Sequence, residues 1–117
     1  DPDAALSALI DFHLDFAFGE ADLIRIQDRD LNNLPATAKR QVRRAQRQYV
    51  ETWVGVLRRR RPAVSEGSAR VMAHATFGLL NSTAHSVKPG STKTAEATSR
   101  TVLRAMTVAA LTSAEND

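Results

Sequence analysis

The chain has 117 residues, 43% apolar and 25% charged, with a formal net charge of +3; this is the size and composition of one folded domain that buries a core without disulfide or metal staples. It contains no cysteine, which excludes a disulfide framework and a thiol nucleophile and fits a reducing, cytoplasmic compartment. No apolar run approaches the ~20 residues of a bilayer span, and the opening Asp-Pro-Asp does not resemble a signal peptide.

Pro2, Pro35, Pro62 and Pro89 each lie in a polar break between segments with helical apolar spacing, which predicts five helices. The first spans 2–18. Asp1 caps it and Pro2 sits in its first turn. Leu6, Leu9, Ile10, His13 and Ala17 form one stripe beside Phe12 and Phe16, and Gly19 is the stop. A second, shorter and more polar helix is expected over 20–33, carrying Leu23, Ile24, Ile26 and Leu31. No β-branched run alternates between turn signals, so the fold class is all-α.

The third helix, 36–60, contains "QVRRAQRQYVETWVGVLRRRRP", in which Gln41 to Pro62 hold seven arginines, one tyrosine and the chain's single tryptophan. Such a tract suits phosphate contact and base stacking, and it equally suits a helix with a solvated face. Ala38, Val42, Ala45, Tyr49, Thr52 and Val56 recur at helical spacing, widened by Trp53 and Leu57. Arg40, Arg43, Arg44, Arg47 and Arg58 fall mainly on the other sides. Arg58 to Arg61 favour the negative end of the helix dipole before Pro62 stops the helix. Residues 1–30 carry eight acids and two arginines, whereas 39–61 carry nine bases and one acid. These segments form either a basic binding tract or helices that neutralise one another on packing.

The last two helices, 66–86 and 93–113, are apolar or small nearly all round, with Ser65 as the first one's cap. A helix without a polar face is buried on two sides. A chain of this size cannot cover both, so the second side is expected to meet another subunit. The predicted seam is a four-helix homodimer interface with Ala75, Gly78, Leu79, Ser82 and His85 from one helix and Val102, Ala105, Met106 and Ala109 from the other. His74 and His85 share nearly one face with Gly78 and Asn81, but no acid accompanies them and a metal needs three or four ligands. That stripe reads instead as a hydrogen-bonding dimer seam or pocket edge. No phosphate loop, nucleophile elbow or cysteine pair appears, so neither an enzyme nor a cofactor is expected.

The run "ARVMAHATFGLLNSTAHS", Ala69 to Ser86, preceded by "QYVETWVGVL", Gln48 to Leu57, and followed by an alanine-rich last helix, resembles the carboxyl-terminal regulatory domain of TetR-family transcriptional repressors. The resemblance covers essentially all of 1–117. It implies a domain in which the last two helices of two subunits make the dimer interface while the preceding helices surround a mostly apolar cavity for an apolar or amphipathic small-molecule effector. The cavity walls expected on that basis are Phe12, His13, Phe16, Trp53, Met72 and Phe77. Operator DNA would be read by an amino-terminal helix-turn-helix unit, which no segment of this chain supplies. The function so implied is the ligand-sensing and homodimerising half of a repressor, without contact to a membrane. The alternatives are a free-standing basic helical nucleic-acid-binding protein and a purely structural helical dimer.

Overall fold

The structure is a computed structural model and describes residues 1–19, 33–83 and 93–113. These residues form four helices, α1 (Pro2–Gly19), α2 (Ala36–Arg60), α3 (Glu66–Asn81) and α4 (Lys93–Ser113), with no strand among them. Residues 20–32 of the helix expected over 20–33 lie outside the described residues, as do 84–86.

The ends follow from local chemistry. The Asp1 carboxylate accepts from the Asp3 backbone N–H at 3.1 Å, and Ser65 Oγ accepts from the Ser68 N–H at 3.1 Å. Each satisfies a donor that the first helical turn leaves open. At the other end of α2, Arg61 turns to extended geometry while its N–H still reaches the Leu57 carbonyl at 3.0 Å, and Pro62 follows. α3 ends earlier than the expected residue 86. The Ser82 N–H and hydroxyl both donate to the Leu79 carbonyl, at 3.2 and 2.7 Å, drawing the chain into a tight turn after Asn81. A serine hydroxyl competes in this way with the regular backbone ladder.

α2 packs against α1 and α3, α4 packs against α3, and α1 also touches α3 and α4. Leu6, Ile10 and Leu14 of α1, Trp53, Val54, Val56 and Leu57 of α2, Ala69, Ala73 and Leu80 of α3, and Leu103 and Leu111 of α4 make one core. Each large apolar side chain fully buried there contributes roughly 1.5–3 kcal/mol.

One expectation needs correction. Of the apolar stripe of the basic helix only Val56, with Trp53 and Leu57 beside it, is fully buried, whereas Ala45 and Thr52 are exposed and Ala38, Val42 and Tyr49 only partly covered. α2 has 25 residues against 18 in α1 and 16 in α3. At about 1.5 Å per residue it outruns both neighbours by more than 10 Å.

Four of the eight acids of residues 1–30, Glu20, Asp22, Asp28 and Asp30, lie outside the described residues, and the described ones divide between the basic tract and α4. Asp3 pairs with Arg60 at 2.5 Å, at the end of α2, while Asp11 pairs with Arg104 at 3.0 Å and Asp15 with Arg100, both on α4. Arg40, Arg43, Arg44 and Arg47 have no ion pair among the described residues.

Candidate functional site

The inward stripe of α1 contains one polar residue, His13, which is buried. A buried imidazole needs partners for both ring nitrogens. Tyr49 of α2 supplies one and Asn81 of α3 the other: His13 Nδ1 lies 2.8 Å from the Tyr49 hydroxyl and Nε2 lies 2.8 Å from Asn81 Oδ1. One side chain thus joins three helices.

The partners determine where the proton sits. An amide oxygen only accepts, so Nε2–H donates to Asn81 Oδ1. A neutral ring then has a bare Nδ1, which accepts the Tyr49 O–H. Burial lowers the His13 pKa from its ordinary 6.5, the bond to Asn81 opposing this by less, and the neutral ring is the favoured form. Burial likewise raises the Tyr49 pKa, with the nearby Trp53 N–H opposing, so the phenol keeps its proton.

Around this bond pair is an aromatic cluster. His13, Tyr49 and Phe77 lie nearly parallel, with centroids 5.2 to 5.7 Å apart. Trp53, at 0% exposure, stands nearly perpendicular to all three. These are the offset and edge-on arrangements that aromatic quadrupoles favour. Trp53 Nε1 makes no full hydrogen bond, and its influence on the Tyr49 oxygen is that of a weak donor.

In front of the cluster is a cavity of about 460 Å³, within the roughly 300–1,000 Å³ of small-molecule pockets. Phe12, His13 and Phe16 line it from α1, Ala45, Gln46, Tyr49 and Val50 from α2, and His74, Phe77 and Asn81 from α3. No carboxylate, ammonium or guanidinium group is among these linings. A second hollow, formed by Arg44, Arg47, Gln48, Glu51 and Thr52, has walls from α2 alone. It lacks the convergence of elements that holds a ligand.

The structure brings four of the six expected wall residues to the cavity, namely Phe12, His13, Phe16 and Phe77. Trp53 and Met72 do not line it: Trp53 stands behind the ring cluster, and Met72 packs against the core. Tyr49 is a cavity residue that the sequence placed only on the apolar side of the basic helix, whereas Asn81 and His74 belong to the stripe expected at a dimer seam or pocket edge, and the structure puts both at the pocket. The available signal was His13 itself, a polar residue in an apolar stripe, which demands partners.

The residues expected at a dimer seam occupy the outer side of α3 and α4. Ala75, Gly78 and Ser82 are exposed, together with Val71 at 69%. Val102 at 51%, Met106 at 50%, Ala105 and Ala109 are exposed on α4. Leu79 is turned partly into the core, and His85 lies outside the described residues. Among the described residues there is no cluster of three or more His, Cys, Asp or Glu placed to hold a metal ion, and no helix long and apolar enough to cross a membrane.

A family model described as Tetracyclin repressor-like, C-terminal domain matches residues 1–110. No curated protein matches the chain.

Proposed function

The chain belongs to the Tetracyclin repressor-like C-terminal domain family, and we propose that it is the effector-sensing and homodimerising half of a transcriptional repressor. The observation that carries this reading is the ring-lined cavity walled by α1, α2 and α3. The exposed apolar side of α3 and α4 supports it, because an uncovered patch of this kind on a small chain marks an interaction surface.

α3 supports a coupling between the two. Its Ala69, Ala73, Thr76 and Leu80 face the core, Val71, Ala75 and Gly78 face outward, and His74, Phe77 and Asn81 line the cavity between those faces. A ligand that fits one setting of α3 better than another shifts the population by its difference in affinity. Across a dimer, such a shift changes the separation of paired DNA-reading helices, which must match major grooves roughly 34 Å apart. In this proposal those helices belong to a helix-turn-helix unit joined ahead of residue 1. Operator release then needs no contact between the effector and DNA.

A thermal-shift screen of apolar and amphipathic compounds tests the sensor reading, since a ligand at a hundredfold excess over Kd raises stability by about 2.7 kcal/mol. Trp53, the chain's single indole, reports occupancy by fluorescence. A screen in which no such compound moves either signal removes the reading.

A further inference from the structure

The hydrogen bonds around His13 leave two defined polar vacancies, and these specify a chemistry for the effector. The Tyr49 hydroxyl spends its proton on His13 Nδ1, because Nε2–H is committed to Asn81 Oδ1. Its oxygen receives no full hydrogen bond from any described residue, with the Trp53 N–H short of bonding geometry. Tyr49 therefore offers the cavity an acceptor and no donor. Asn81 is the reverse: its oxygen is taken and its Nδ2 donors bond nothing among the described residues. Both residues line the cavity, as does Phe77, which lies nearly parallel to the Tyr49 and His13 rings.

Resting on the reading of this cavity as the effector site, we propose that it takes an uncharged ring compound that donates a hydrogen bond to Tyr49 and presents a neutral acceptor to Asn81. The flat ring surfaces suit a flat ligand. A carboxylate is disfavoured because, among the described residues, no guanidinium or ammonium group lines the cavity to repay the cost of removing the charge from water. The basic tract does not help, since Arg44 and Arg47 border the other hollow of α2. A ligand without a donor covers the Tyr49 oxygen and leaves it without a partner.

Three compounds on one scaffold separate these contributions in calorimetric titrations of the full chain. 6-Acetyl-2-naphthol carries both donor and neutral acceptor; its methyl ether lacks the donor; 6-hydroxy-2-naphthoate replaces the acceptor with an anion. The expected result is that the naphthol binds and that the ether and the naphthoate are each roughly tenfold weaker. In Tyr49→Phe the advantage of the naphthol over its ether shrinks to about twofold. Should that variant not fold, the ranking on the unaltered chain decides. Equal affinities, or preference for the naphthoate, overturn the inference. If none of the three binds while 1-decanol raises the melting temperature, the cavity stands as an effector site and this chemistry is wrong. If decanol also has no effect, both readings fall.

Discussion

His13 has one proton and two partners, so changes at either partner are unequal in kind. Asn81→Ala leaves a buried N–H without an acceptor, which costs about 1–3 kcal/mol and is expected as a lower urea midpoint with unchanged slope. The ring also makes stability depend on pH. Burial lowers its folded pKa below the ordinary 6.5, so between those two values the unfolded chain binds more protons than the folded one. The contribution is full above 6.5 and is lost as pH falls through the folded value. Unfolding free energy should therefore drop between about pH 7 and about pH 5, and His13→Leu should reduce that drop. Urea melts at the two pH values check this; an unchanged drop in the variant would exclude His13 as its source.

At the scale of elements, α2 and α3 each carry an exposed glycine inside a helix, with different consequences. A Cβ at Gly55 meets nothing within 4 Å, and the residue lies on the solvent side of α2. Gly55→Ala should stabilise the chain by about 0.5–1 kcal/mol by restricting the unfolded backbone, visible as a rise of a few degrees in melting temperature. A Cβ at Gly78 of α3 is equally unobstructed within the protomer, but it lies on the face proposed to meet a second subunit. Gly78→Arg is expected to keep the helical circular dichroism and abolish the dimer, because a charge in a desolvated seam costs several kcal/mol. Ala109→Lys on α4 should act alike. Sedimentation velocity distinguishes the species; a monomeric unaltered chain at micromolar concentration contradicts the dimer.

For the molecule as a whole, the distribution of charge decides the question raised by the arginine-rich tract. Asp3, Asp11 and Asp15 engage Arg60, Arg104 and Arg100, leaving Arg40, Arg43, Arg44 and Arg47 exposed and without ion pairs among the described residues. Tyr49 and Trp53, the aromatics needed for base stacking, point instead into the ring cluster. The tract is expected to attract phosphate without reading sequence. Binding to duplex DNA should be weak, fall steeply with salt, show no preference among sequences, and decline further in Arg43→Ala/Arg44→Ala/Arg47→Ala. Fluorescence anisotropy at two salt concentrations measures it, and sequence-selective binding at physiological salt would favour the basic-helix DNA binder.

The sequence alone determined what depends on neighbours within a turn or two. The bounds of α2 and α4, the Asp1 and Ser65 caps, the inward stripe of α1 and the apolar and small residues on the outer side of α3 and α4 follow from local chemistry and periodicity. Tertiary structure decided whatever joins distant positions. His13 finds Tyr49 across 36 residues and Asn81 across 68, and Asp11 finds Arg104 across 93; nothing in the local spacing selects one partner among the polar residues of another helix. The same holds for α2, whose periodicity continues through a half that stays exposed because burial depends on how far the adjacent helices extend. The cavity is of this second kind, existing only where three helices meet.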